Sequence, residues 1–286
     1  MAIRMDGKMT AGVIREELRE KTKGFVAKYG VPPLLAVVLV GENPASQIYV
    51  RNKRRACEEI GFGTTEILLP EATRQEELES VIDELNADHG VHGILVQLPL
   101  PKALDEEAIL RRISPAKDVD GFHPYNQGCL MMGKPSFVPC TPAGIMELLH
   151  RYGISAEGKS CVVIGRSNIV GKPLAALLLQ ENGTVTVCHS HTPSLWDVTR
   201  RADILVAAIG KAGFVGAEAV KPGAVVIDVG INRGGDGKIC GDVDFDAVDP
   251  VASYLTPVPG GVGPMTIAML MQNTWKAACR QVGETE

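Results

Sequence analysis

The chain has 286 residues, 45% hydrophobic and 22% charged, with a formal net charge of −5 at pH 7. That length suits two modest α/β domains, and the composition holds no acidic or Pro/Ser-rich tract of the kind that stays disordered. Interspersed acids and bases leave no broad basic surface for nucleic-acid phosphates, and no apolar run approaches the roughly 20 residues needed to span a bilayer, so neither partner is expected. The opening MAIRMDGK lacks the apolar core of a secretory signal and the long Arg/Ser-rich stretch of a transit peptide, which predicts a cytoplasmic location. Seven scattered cysteines without a C-x-x-C pair read as reduced structural thiols.

In chain order, apolar periodicity predicts a helix near Met9 to Ala27, then a buried strand, LLAVVLV, ending at Gly41. A second helix follows at once: Asn43 caps it, Pro44 takes its first position and Gly61 stops it. Next come a strand near Thr65 to Leu69, a helix near Gln75 to Ala87, the strand GILVQL and a helix near Asp105 to Arg112. This β-α alternation requires a parallel sheet. Ser114 to Pro142 is rich in turn signals and marks a boundary. A helix from Thr141 then leads to strand CVVIG, a helix from about Val170 to Gln180, strand TVTVC, a short helix, and strands DILVAAIG and AVVIDVG. That is a second doubly wound unit. A closing helix from Pro264 to about Gln281 can pack on either domain.

The segment CVVIGRSNIVGKPLAALLL is a strand, a glycine loop and a helix, the setting in which helix N-terminal amides hold a pyrophosphate. Its spacing departs from G-x-G-x-x-G, because Ser167 stands at the second glycine and Gly171 falls one residue late. After the next strand, Cys188, His189 and Ser190 occupy the place of the ribose-binding acid, so no carboxylate repels a 2′-phosphate. Arg166 in the loop and Ser190 beside it can donate to that phosphate, which favours NADP; a solvated surface arginine is the plain alternative. His189 and His191 form an H-x-H pair, but no third ligand has suitable spacing and no metal is expected.

Projected at 100° per residue, the second helix places Ala45, Tyr49, Lys53, Ala56 and Ile60 in one sector, opposite Arg51, Arg54, Arg55 and Glu58. An inward lysine loses hydration, which lowers its pKa and suits it to acid/base work; snorkelling to solvent is the alternative. Tyr49 lies one turn before Lys53 and Ser46 one turn earlier again, on the same line. Tyr49 and Lys53 also match the Tyr-x-x-x-Lys pair of short-chain dehydrogenases, although that family places the pair after its nucleotide loop. Gln97, at the carboxyl end of its strand, can hydrogen-bond Lys53, and KDVDGF offers Asp118 and Asp120 either as turn residues or as acceptors for an N–H-rich ring.

These residues sit in longer stretches, among them VGENPASQIYVRNKRRACEEIG, GILVQLPLP, PAKDVDGFHPYNQG, PCTPAGIMELL, GKSCVVIGRSNIVGKPLAALLL, GDVDF and LTPVPGGVGPMTIAMLMQNT. Nearly end to end, the sequence resembles the methylenetetrahydrofolate dehydrogenase/methenyltetrahydrofolate cyclohydrolase family. The resemblance implies two doubly wound α/β domains: a catalytic folate domain over 1–140, joined by the C-terminal helix of about 264–286, and a Rossmann-like NADP domain over 141–263. It implies NADP-dependent oxidation of methylene-tetrahydrofolate, then hydrolysis to formyl-tetrahydrofolate, in one-carbon metabolism and purine biosynthesis. Lys53 would be the catalytic lysine, adjusted by Gln97. Tyr49 would stack on the folate, Asp120 would grip the pterin, and Ser46, Pro99 and Pro259, Gly260 and Gly261 would line the substrate. Gly165, Arg166, Ser167, Val170, Gly171, Ser190 and Ile231 would bind NADP, and a homodimer would form mainly through the second domain. The competing expectations are another two-domain NADP-linked dehydrogenase, which has no need of KDVDGF, and a nucleotide-sensing scaffold, in which an inward lysine has no use.

Overall fold

The computed structural model describes residues 1–235 and 237–284. Its elements are β1 (Ile3–Arg4), α1 (Gly7–Tyr29), β2 (Leu34–Val40), α2 (Pro44–Ile60), β3 (Gly63–Leu69), α3 (Gln75–Ala87), β4 (Gly93–Val96), α4 (Glu106–Arg112), α5 (Pro124–Met131) and α6 (Cys140–Arg151), followed by β5 (Ser160–Ile164), α7 (Gly171–Gln180), β6 (Thr184–Cys188), α8 (Leu195–Thr199), β7 (Ile204–Ala207), β8 (Val225–Asp228), β9 (Asn232–Arg233), β10 (Ile239–Cys240), α9 (Phe245–Val248), β11 (Tyr254–Leu255) and α10 (Val262–Gln281). They form two compact units. The N-terminal unit is Gly12–Cys140 with the residues from Ile267 onward, and the C-terminal unit is Thr141–Thr266 with Met1–Ala11.

In the N-terminal unit three parallel strands stand in the order β3-β2-β4. Because right-handed crossovers leave central β2 first toward β3 and then back toward β4, they put α2 and α3 on opposite faces. One face of β2, Ala36, Val38 and Val40, packs with Leu78 and Ile82 of α3 and Ile109 of α4. Each of the valine, leucine and isoleucine side chains among them, fully buried, contributes roughly 1.5–3 kcal/mol. The other face receives α2, which packs on β2 and β3. The C-terminal part of α10 belongs here as well: Ala278 and Cys279 bury against Phe25 of α1, whose ring lies 5.4 Å from that of Trp275. The closing segment was expected to reach 286; its last two residues lie outside the described ones.

The stretch between α4 and α6 is more ordered than its turn signals suggest, because Pro124 opens α5 and His123 caps it, its Nδ1 accepting from the Tyr125 N–H at 3.0 Å. Earlier in that stretch Lys117, buried, donates from Nζ to the carbonyls of Leu85, Asn86 and Asp88 at 2.9, 2.9 and 2.6 Å. These are orphan acceptors at the end of α3, which a cation there satisfies.

The C-terminal unit carries a six-stranded parallel sheet, β1-β11-β8-β7-β5-β6. The order reverses between β5 and β7, and the carboxyl ends at such a switch point are where doubly wound sheets take ligands. Expected with the first domain, residues 1–11 group with the second instead, because Ile3 and Arg4 pair with Tyr254 and Leu255 as the sheet's last strand. A two-residue strand is too short to announce itself by alternation. Among the described residues no helix is long and apolar enough to cross a membrane.

Lys117→Met, which keeps the buried stem but removes three charge-assisted hydrogen bonds, is expected to lower stability by about 2–4 kcal/mol in urea unfolding. Wild-type stability in that variant would mean that Lys117 does not hold the end of α3.

Candidate active site and nucleotide loop

The start of α2 follows directly from its sequence. Asn43 Oδ1 accepts from the N–H groups of Ala45 and Ser46 at 3.0 and 3.1 Å, Pro44 opens the helix, and Gly61 closes it in the left-handed region. The buried stripe runs through Ser46, Val50, Lys53, Ala56, Cys57 and Ile60. It lies one position round from the sector projected at 100° per residue, so Tyr49 sits at its edge, 37% exposed, rather than inside. Burial of its other side still pushes the Tyr49 hydroxyl pKa up.

Lys53 is 8% exposed. Its Nζ donates to Gln97 Oε1 at 3.0 Å. Gln97 is the first residue past β4: its backbone N–H continues the ladder to the Val38 carbonyl at 2.8 Å, and its Nε2 donates to the Leu98 carbonyl at 2.7 Å. With the amide nitrogen so engaged, Oε1 is the end presented to the lysine. Pro99, two residues on, is exposed.

The KDVDGF segment is laid beside β4 by a parallel bridge between Ile94 and Asp118, with the Ile94 N–H donating to the Lys117 carbonyl at 2.8 Å. This separates its two acids. Asp118 accepts from the Phe122 and His123 N–H groups at 3.1 and 2.8 Å and from Asn126 Nδ2 at 2.7 Å, so it takes the turn role. Asp120 carries no such turn duty and interacts electrostatically with Lys53. Burial lowers the Lys53 pKa, opposed by the negative charge of Asp120 and then by Cys140. Burial raises the Asp120 pKa, opposed by Lys53 and by a hydrogen bond from Cys140. Both groups are thereby pushed toward their neutral forms, each partly held back by the other.

Cys140 also takes part in this cluster, although nothing in its sequence neighbourhood singles it out. Its thiol pKa is pushed well above 9 by burial and then by Asp120, so it remains a hydrogen-bond donor, and it reaches the Val119 carbonyl at 3.3 Å. Asn273 of α10 fixes the same turn, donating from Nδ2 to the Val119 and Val138 carbonyls at 2.8 and 2.9 Å. A cysteine between ordinary neighbours and an asparagine on an apolar helix carry no periodic or spacing signal.

In the C-terminal unit the loop after β5 holds Gly165, Arg166, Ser167 and Val170 ahead of Gly171. Gly165 has φ +124°, and a Cβ on it would sit 2.3 Å from the Ala208 carbonyl oxygen; one on Gly171 would sit 2.2 Å from that of Gly165. Only glycine lets the chain fold back this closely. Ser167 Oγ accepts from the Val170 and Gly171 N–H groups at 3.2 and 3.3 Å, which shapes the start of α7. Arg166, Ser167, Ser190 and Ile231 are exposed at the carboxyl ends of β5, β6 and β8, and Arg166 enters no ion pair among the described residues. This backbone cradle, with a free arginine and a serine where an acid would otherwise stand, fits a dinucleotide bearing a 2′-phosphate. Pro259, Gly260 and Gly261 lie in the same unit, the Gly260 carbonyl accepting from the Lys8 N–H at 2.9 Å.

Family models for tetrahydrofolate dehydrogenase/cyclohydrolase match the chain, the catalytic domain over residues 5–120 and the NAD(P)-binding domain over 139–282. The bifunctional protein FolD of Streptococcus pneumoniae serotype 4 is 59% identical over 276 residues, 96% of this chain and 97% of that protein. The solved structure of the bifunctional enzyme FolD from Campylobacter jejuni, a methylenetetrahydrofolate dehydrogenase/cyclohydrolase, superposes with a TM-score of 0.95 at 51% identity, covering 98% of this chain and all of that one. That of the Trypanosoma brucei methylenetetrahydrofolate dehydrogenase-cyclohydrolase, complexed with NADP and an inhibitor, gives 0.95 at 42% identity over 99% of each chain.

Asp120→Asn is expected to move the Lys53 pKa further down, because the carboxylate is the largest influence holding it up. An NMR titration of isotopically labelled lysine would follow it, and an unmoved or raised pKa would break the proposed coupling.

Proposed function

The chain belongs to the tetrahydrofolate dehydrogenase/cyclohydrolase family, and from that premise we propose how its own residues carry the two reactions. It oxidises 5,10-methylenetetrahydrofolate with NADP to the 5,10-methenyl cation and hydrolyses that cation to 10-formyltetrahydrofolate. The observation that carries the assignment of residues is the buried Lys53, depressed in pKa and hydrogen-bonded to Gln97 at a strand's carboxyl end.

NADP, when bound, supplies the hydride acceptor. Gly165, Arg166, Ser167, Val170 and Gly171 hold its phosphates, Ser190 and Arg166 meet the 2′-phosphate, and Ile231 packs against it. As the hydride leaves the methylene carbon, the two flanking nitrogens spread the positive charge, so this step calls on the protein for positioning more than for a base. Asp120 grips the pterin, Tyr49 stacks on the folate's aromatic portion, and Ser46, Pro99 and the Pro259–Gly261 turn line the substrate.

Hydrolysis does need a base. Water adds its oxygen to the methenyl carbon and cancels the cationic charge, while one of its protons passes to neutral Lys53. The carbon–nitrogen bond on the pterin side then breaks, the carbonyl forms with loss of the second proton to solvent, and Lys53 returns its proton to the freed nitrogen. A cationic lysine would repel the substrate as well as fail as a base. Gln97 and Tyr49 orient the amine and the water. We also propose that the protein works in the cytoplasm as a homodimer joined through the C-terminal unit and supplies formyl groups for purine biosynthesis; light scattering giving the mass of a single chain would remove the dimer.

Lys53→Met is expected to cut methenyl hydrolysis by about 10²–10⁴-fold, the usual reach of a general base, while NADP affinity stays at the wild-type value. Hydrolysis at the wild-type rate would take Lys53 out of the mechanism. The neutral form must act, so the rate rises with pH through the Lys53 pKa, which lies below its ordinary value; Asp120→Asn, by lowering that pKa, moves the rising limb to lower pH. A limb shifted upward would contradict the charge assignment.

A further inference from the structure

The C-terminal unit buries two carboxylates that neither reaction uses. Asp242 is fully buried and Asp228 is 3% exposed. No cation accompanies them among the described residues; backbone N–H groups do. Asp242 Oδ2 accepts from Ile209 and Gly210 at 2.7 and 3.1 Å, and Oδ1 from the Lys211 N–H at 2.7 Å and Asn232 Nδ2 at 2.9 Å. Asp228 accepts in turn from the backbone of Asp242 itself, at 2.9 Å, and from Gly230 and Val243 at 3.0 and 2.9 Å. The packing is close enough that a Cβ on Gly230 would overlap Asp242, and one on Gly241 would overlap Asp228.

Burying two like charges is costly, and the backbone N–H groups that offset the cost are tied down in return. What the pair fixes is two loops at the carboxyl ends of adjacent strands. Residues 209–211 follow β7 and Ala208, whose carbonyl backs the Gly165 turn, and residues 230–232 follow β8 and present Ile231, 52% exposed. With the phosphate loop after β5 and the 2′-phosphate contacts after β6, the ends of β7 and β8 fall on the opposite side of the switch point. On the nucleotide assignment above, that is the side left for the nicotinamide half of the dinucleotide.

We propose that Asp242, seated on Asp228 and tied to Asn232, is a positioning residue for the nicotinamide half of NADP: it sets the loops 209–211 and 230–232 in the shape that receives it. The inference rests on the nucleotide assignment made above. It explains why the GDVDF segment surrounds its first acid with so many donors.

The test uses the full chain with Asn232→Ala and, separately, Asp242→Asn, measuring NADP affinity, the dehydrogenase KM and kcat for NADP, and hydrolysis of methenyl-tetrahydrofolate, which needs no nucleotide. Asn232→Ala removes one charge-assisted bond and is expected to raise the KM for NADP about tenfold, with kcat recovered at saturating NADP and hydrolysis unchanged. Asp242→Asn is expected to raise it further. An unchanged KM in Asn232→Ala, or equal losses of oxidation and hydrolysis in Asp242→Asn, would reduce the pair to a fold element and overturn the inference. A wild-type chain that hydrolyses methenyl-tetrahydrofolate but binds no NADP would sink the nucleotide assignment first and this inference with it.

Discussion

A lysine taken out of water governs the N-terminal unit. Charged and buried, Lys53 would have to recover its lost hydration from its neighbours. Those neighbours supply one amide oxygen from Gln97 and the opposing charge of Asp120, which is itself pushed toward neutrality by burial. The balance leaves the amine easier to deprotonate than a surface lysine. The surrounding architecture keeps it so: the ladder bond of Gln97 to Val38, the Ile94–Asp118 bridge that brings Asp120 alongside β4, and the Asn273 amide that holds the carbonyls of Val119 and Val138.

Both units use the same property of parallel sheets, that loops at the carboxyl ends of strands are free to carry function while the strands themselves are buried on both faces. In the N-terminal unit these ends carry Gln97 and, after β2, the Asn43 cap that aims α2. In the C-terminal unit they carry the Gly165 turn, Ser190, the 209–211 loop and Ile231. The one is arranged to move a proton near a cation, the other to hold phosphates with backbone and an arginine. Each solution is chemical: an amine kept short of its charge in one, a carboxylate-free surface with a cationic side chain in the other.

Much of this was legible because local chemistry and global fold agree. Asn43, Pro44 and Gly61 mark α2 to the residue, and Gln75 to Ala87 is a helix with the bounds its periodicity gives. Elsewhere the signals were too short or too tertiary. β1 and β11 are two residues each and gain meaning only from the sheet they extend, β11 pairing with β8 and β1 with β11. α5 hides among turn residues, since eight residues that begin with a proline give little periodicity. The helical projection missed by one position because a real buried stripe is set by what packs on it, leaving Tyr49 at the rim. Asp118 and Asp120 look alike in sequence; only the bridge to β4 decides which one makes the turn. Cys140, Asp228 and Asp242 act through contacts distant in the chain, and single-chain spacing carries no record of them.

The most direct test of the whole account is a progress curve of the wild-type protein with methylene-tetrahydrofolate and NADP, following NADPH and the methenyl chromophore separately. One chain that performs both steps gives rising NADPH while methenyl stays low. Methenyl accumulating in step with NADPH would contradict the role given to the buried lysine, and no NADPH at all would contradict the assignment of the nucleotide loop.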